Sequence, residues 1–268
     1  MEFLKISSRK NSRIMYVSKI IKDASFRKNE GMFVLEGMKM LREACSSGVE
    51  VLEIFCDSDT KKDIEFFDFL NRTSECFEIE GDIIRKISDV ESSYGLVCLC
   101  RVPAVKSFDL EKLGEVVVLE NVQDPGNLGA IIRSCAAFGV KNLVLSQGSC
   151  DIFNPKTIRA SAGSVFKVNI VYVENICDFL SNLNNFKFKI YGMVPCSNEE
   201  SFEILGETTF ESKKVALVAG NEGHGISIKT LDCCNARLTI PMSEFAESLN
   251  VSVSVSMAIW ELFKFKVR

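Results

Sequence analysis

The chain has 268 residues, 47% of them hydrophobic and 25% charged, which allows one large domain or two small ones with a proper core. No apolar run approaches a membrane span, and residues 1–10 lack the apolar centre of a signal peptide, which argues against a membrane partner and points to the cytoplasm. The 11 cysteines follow no ligand spacing and His224 is the sole histidine, so neither a disulfide framework nor a metal site is expected.

The net charge of −4 is uneven. Residues 1–30 hold eight Lys or Arg against three acids, which makes that segment +5. Arg9, Lys10, Arg13, Arg27 and Lys28 share it with Ser7, Ser8, Asn11 and Ser12, residue types that suit phosphate contacts. A solvated basic helix accounts for the charge equally well. From Met32 the pattern alternates: strand at Phe33–Leu35, helix at Met38–Ser46, strand at Val51–Cys56, helix with Ile64, Phe67 and Leu70, strand at Cys76–Ile79, short helix at Ile83–Ile87, strand at Gly95–Cys100. This is the pattern of a small α/β domain, and it carries no catalytic constellation. Val102–Ser107 reads as a linker, so the domains are expected at 1–106 and 107–268.

The apolar run Val116–Leu119 reads as a strand buried on both faces. Asp124-Pro125-Gly126 forces a turn, Asn127 is a suitable N-cap, and Ile131, Ile132, Cys135 and Ala136 recur at helical spacing up to Gly139. Such a strand–turn–helix exposes backbone N–H groups above the strand. Arg133 falls four residues after Gly129 on one helical face. On its own this is more simply an ordinary βα unit with a solvated arginine. Strands follow at Asn142–Ser146, Val168–Val173 and Phe188–Val194, with a helix at Glu174–Leu183 and a Pro155-initiated turn running through Arg159 to Ser164.

A second buried strand, Val215–Ala219, enters the loop Gly220-Asn221-Glu222-Gly223-His224-Gly225, with Ser227 as N-cap of the next helix. The glycine order is neither a dinucleotide fingerprint nor a phosphate-binding P-loop. Glu222 lies at the strand's C-terminal end, where open α/β sheets bind ligands. The last stretch runs from Leu238-Thr239-Ile240-Pro241-Met242 to Ser248-Leu249-Asn250 and onward to Trp260. Alternating Val251, Val253 and Val255 fit a strand, and Leu249, Ser252, Ser256 and Ile259 fit a helix; periodicity leaves both open.

Taken in order, NxxDPGNLGAIIRS at Asn121–Ser134, GNEGxGIS at Gly220–Ser227 and IPMxxxxxSLNVSVS at Ile240–Ser254 closely resemble the three motifs of the SpoU (TrmH-like) RNA ribose 2′-O-methyltransferases, within the SPOUT superfamily. Arg159-Ala160-Ser161-Ala162-Gly163 matches as well, and Phe33-Val34-Leu35-Glu36-Gly37 resembles the family's N-terminal substrate-binding domain. The resemblance implies a parallel-sheet α/β domain with a C-terminal trefoil knot, preceded by a small α/β RNA-binding domain, in a homodimer. It makes residues 247–263 helical. It implies S-adenosylmethionine as cofactor, held by the backbone of Gly220, Ile240 and Leu249, with Asn127, Arg133, Glu222, Ser248 and Asn250 at the active site. A guanidinium stays protonated, so Arg133 is read as positioning and polarising the ribose or its phosphate. Arg159 and the five basic residues of the leading segment are the expected RNA contacts, and no metal is required. Large-subunit ribosomal RNA is the expected substrate; transfer RNA methylation, or a catalytically silent RNA-binding factor on this scaffold, are the alternatives.

Overall fold

The computed structural model describes residues 3–62, 75–88, 95–104, 108–195, 202–208 and 214–263. The expected helix around Ile64, Phe67 and Leu70 lies outside them. Two units divide the chain: Met1–Ala104 with Asp151–Phe166, and Val105–Cys150 with Lys167–Arg268.

In the first unit, β1 (Leu4–Ile6), α1 (Ser12–Lys22), α2 (Ala24–Glu30), β2 (Met32–Glu36), α3 (Met38–Ser46), β3 (Val51–Cys56), β4 (Glu75–Ile79), α4 (Gly81–Ile87) and β5 (Leu96–Arg101) follow in order. The sheet order is β1-β4-β3-β5-β2, with β5 antiparallel to both of its neighbours. Local chemistry sets the helix ends. The Asn11 side chain caps α1, Asp23 caps α2, and α2 stops at Gly31 in the left-handed region at φ 63°. Ile14, Val17, Ile20 and Ile21 of α1 pack on the sheet around Phe55 and Phe77, whose rings stack at 5.0 Å.

The sequence reading put residues 107–268 in one domain, and the structure differs. Asp151–Phe166, including the short helix Pro155–Ala160, packs with the first unit. Phe153 and Phe166 close on Phe33 at 4.6 and 5.9 Å between ring centroids. Two ion pairs add to that apolar contact, Arg27–Asp151 at 2.8 Å and Arg159–Glu36 at 3.4 Å. Residues 151–166 thus find their apolar partners in the core of the unit they belong to.

The second unit is built on β6 (Glu115–Leu119), α5 (Pro125–Ala137), β7 (Asn142–Ser146), β8 (Asn169–Val173), α6 (Ile176–Asn185), β9 (Lys189–Met193), β10 (Glu203–Ile204), β11 (Val215–Ala219), α7 (Ile228–Leu231), β12 (Ala236–Thr239) and α8 (Val251–Phe263). All pairings in the order β10-β12-β9-β11-β6-β7-β8 are parallel. The central strands β6 and β11 are buried on both faces, as their unbroken apolar runs require. Val116, Val118, Ala216 and Val218 face Ile176, Phe179, Leu180 and Leu183 of α6. Alternate residues point to the opposite face.

Two local expectations are corrected. Asp124, not Asn127, caps α5: Pro125 is pre-set for the first helical position, and the Asp124 carboxylate accepts the Asn127 N–H at 2.9 Å. The C-terminal helix begins at Val251 rather than 247, because the Asn250 side chain accepts the Ser252 N–H at 2.9 Å and starts it there. The Val/Ser alternation survives inside a helix because its serines find acceptors one turn back: Ser254 Oγ donates to Asn250 O and Ser256 Oγ to Ser252 O. Val255, Ala258 and Ile259 are the buried stripe.

Candidate active site

Residues Val215 to Ala219 of β11 pair one for one with Glu115 to Leu119 of β6, so both strands end level. The Asp-Pro-Gly turn and the glycine-rich loop therefore leave the sheet side by side, at its carboxyl edge. The loop closes on itself. Asn221 and Gly225 exchange backbone hydrogen bonds at 3.0 and 2.9 Å, and Asn221 Oδ1 accepts the N–H groups of Gly223 and His224. A Cβ on Gly220 would collide with the backbone of Gly225 and Ile226. This explains why glycine stands there.

Glu222 connects the two loops. Its carboxylate accepts the backbone N–H groups of Gln123 at 3.2 Å and Asp124 at 3.0 Å, and the Asn127 amide at 3.1 Å. Asn127 Oδ1 in turn accepts from Asn250 Nδ2 at 2.9 Å. One chain of hydrogen bonds thus links the second motif through the first to the third. Partial burial pushes the Glu222 carboxyl up, but the bonds from Asp124, Asn127 and Gln123 outweigh it and hold the group below its ordinary value. A carboxylate so occupied acts as an anionic clamp rather than a proton acceptor.

Gly220, Glu222, Ile240, Ser248 and Leu249 line a cavity of about 310 Å³, within the ~300–1,000 Å³ typical of small-molecule sites. Asn127 and Asn250 stand outside that lining but are joined to it through Glu222. Arg133 is exposed on α5 and enters no ion pair among the described residues. Gly129, one turn before it, is buried.

Sequence reasoning missed two supports. The Glu120 carboxylate accepts Ser227 N–H and Oγ, both at 2.8 Å, and Thr230 Oγ1 at 2.7 Å, which pins the exit of the glycine-rich loop. Asn121 takes φ 55°, and its carbonyl accepts Asn221 Nδ2 at 2.8 Å, which pins the entrance. The available signal was position: they are the first two residues after a buried strand whose neighbour runs straight into a glycine.

The expected RNA contacts fare unevenly. Arg27 is 3% exposed. Its guanidinium serves Asp151 and the α1 carbonyls of Ile20 and Ile21, so it belongs to the core and not, as expected, to an RNA-contacting surface. Arg9 pairs with Asp82, and Arg13 with Glu53 and Glu75 while covering the Phe77 ring at 4.7 Å. Arg159 is held by Glu36. Lys10 and Lys28 are exposed.

A parallel sheet that presents two adjoining loops around a cavity, tied to a third loop by an anionic clamp, is the arrangement of an α/β small-molecule site. Residues 114–260 match the SpoU rRNA Methylase family and residues 11–98 the MRM3-like substrate binding domain. The chain belongs to the SpoU rRNA methylase family, and with it to the RNA 2′-O-methyltransferases. It is 30% identical to the 23S rRNA (guanosine(2553)-2′-O)-methyltransferase RlmP of Bacillus subtilis over 96% of this chain and 98% of that protein. Among solved structures, the SpoU methyltransferase AviRb from Streptomyces viridochromogenes in complex with AdoMet is 22% identical, with TM-score 0.83 over 96% of this chain and 99% of that one. An rRNA methyltransferase from Sinorhizobium meliloti is 21% identical, with TM-score 0.84 over the whole of both chains. At these identities the likeness is one of fold.

Proposed function

We propose that this protein methylates a ribose 2′-hydroxyl of 23S rRNA with S-adenosylmethionine as donor. The observation that carries this reading is the hydrogen-bond chain Glu222–Asn127–Asn250, which assembles the three motif loops at one cavity. The residues present fit the cofactor: Gly220, Ile240 and Leu249 offer an apolar wall, and Gly220 tolerates no side chain.

When bound, S-adenosylmethionine supplies an electrophilic sulfonium methyl group. The chain's own residues supply alignment and charge handling, which dominate such a transfer. Arg133, protonated at neutral pH, holds and polarises the ribose or its phosphate. Ser248 and the second N–H of the Asn127 and Asn250 amides orient the sugar, and Glu222 keeps both loops in register.

The MRM3-like unit binds the RNA, with exposed Lys10 and Lys28 among its cations. The second unit threads the family's trefoil knot and dimerises; Val253, Met257 and Trp260, 47%, 42% and 50% exposed along one side of α8, offer an apolar stripe for a second copy. The protein works in the cytoplasm.

The test is transfer of tritiated methyl from S-adenosylmethionine to protein-free 23S rRNA from cells lacking the enzyme, with the modified ribose mapped. Label in transfer RNA alone would move the substrate. No label in either RNA, with the cofactor still bound, would favour an RNA-binding factor.

A further inference from the structure

The loop between β12 and α8 carries a side chain the site does not use. Phe245 is 92% exposed, ahead of Ile228 at 79%. Met242 and Ser248 of the same loop, each three residues away, line the cavity. At most about 11 Å of extended chain separates the ring's backbone from either one.

We propose that Phe245 is the stacking platform for a base of the RNA substrate beside the nucleotide being methylated. The inference rests on the function proposed above and adds a specificity residue to it. Single-stranded RNA is recognised by splaying bases onto aromatic side chains, and every base offers a π-face, so a phenyl ring binds without regard to charge. The neighbours of Phe245 select the base over the backbone. Glu244 and Glu247, one residue before and two residues after Phe245, are both exposed, and carboxylates this near in the chain repel a phosphodiester. The uncharged, planar part of a nucleotide is what such a surface accepts. The same pair disfavours a second copy of this loop, because a two-fold interface sets each patch against itself and brings four carboxylates together.

Full-length parent, Phe245→Ala, Phe245→Leu and Phe245→Trp are compared in two assays. The first is steady-state methylation of protein-free 23S rRNA from cells lacking the enzyme. The second is quenching of 2-aminopurine in a single-stranded RNA oligonucleotide. Phe245→Ala should raise the KM for RNA about 5- to 140-fold, the range of one lost base–aromatic stack, and should abolish the quenching. Phe245→Trp should restore both, and Phe245→Leu should not. Affinity for S-adenosylmethionine by calorimetry and mass by light scattering should stay at parental values. A parental KM and parental quenching in Phe245→Ala overturn the proposal, as does full rescue by leucine. A smaller mass in Phe245→Ala assigns the ring to an interface between copies. If the parent methylates no 23S rRNA, the functional reading fails, and the quenching assay still decides whether Phe245 stacks a base.

Discussion

Gly220→Ala adds one methyl group at the wall of the cavity. That methyl would overlap the backbone of Gly225 and Ile226, far inside the 3.4–4 Å of ordinary contact. Backbone cannot rotate away as a flexible side chain can. The loop must open, and the reciprocal Asn221–Gly225 hydrogen bonds at 3.0 and 2.9 Å oppose it. Overpacking of this kind costs ~1–3 kcal/mol, and a lost hydrogen bond costs ~1 kcal/mol. A total of about 2–4 kcal/mol against the cofactor-competent loop corresponds to 30- to 1,000-fold weaker binding. Gly223→Ala is the internal control, since a Cβ there has only Asn221 Oδ1 nearby, at 3.6 Å. Calorimetric titration of both variants with S-adenosylmethionine, alongside far-UV dichroism, separates binding from folding. If Gly220→Ala binds within threefold of the parent, or Gly223→Ala loses as much, close backbone packing is not what glycine provides there.

Arg133→Ala should abolish methyl transfer with cofactor affinity nearly intact, and Arg133→Lys should remain poor because a point charge does not reproduce a planar fork; single-turnover assays beside calorimetry check both. Glu222 has a depressed carboxyl pKa, so its contribution is fully present above the ordinary value of 4.5 and is lost as pH falls through the folded one. The parent's cofactor affinity should therefore decline in that acidic window, and Glu222→Gln, weaker at neutral pH, should lack that component of the decline. Phe33→Ala removes a fully buried ring from between Phe153 and Phe166, and chemical denaturation should show a loss of about 3–5 kcal/mol. Replacing Lys10 and Lys28 with Gln should reduce the slope of RNA affinity against salt in filter-binding titrations, because fewer counterions are released.

The central strands could be read from the sequence because burial on both faces leaves an unbroken apolar run. Val215–Ala219 needed no tertiary information. Helix α8 could not be read that way. Valines at every second position imitate a strand, and what decides is the Asn250 cap and the turn-to-turn serine bonds. Arg27 counted as surface charge until the fold buried it against Asp151, more than a hundred positions away. The same long-range pairing hid the allegiance of Asp151–Phe166, whose partners Phe33 and Glu36 lie in the other half of the chain. The motif residues were legible as types, but the order of their linkage, Glu222 to Asn127 to Asn250, exists only in space.

The allegiance of Asp151–Phe166 also has a consequence in time. A chain is made from its N-terminus, and domains made first generally fold first. Here residues 1–104 leave the ribosome without Phe153 and Phe166, and the last of their unit follows roughly sixty residues later. At ~5–20 residues per second, that delay is about 3–12 seconds. Through it Phe33 has neither of its later partners, and the Arg27 guanidinium waits for its counter-ion. The first unit is thus made first and completed second, after β6, α5 and β7 have been synthesised. A nascent-chain series arrested before and after residue 166 should show protease resistance of the first unit rising only past that point.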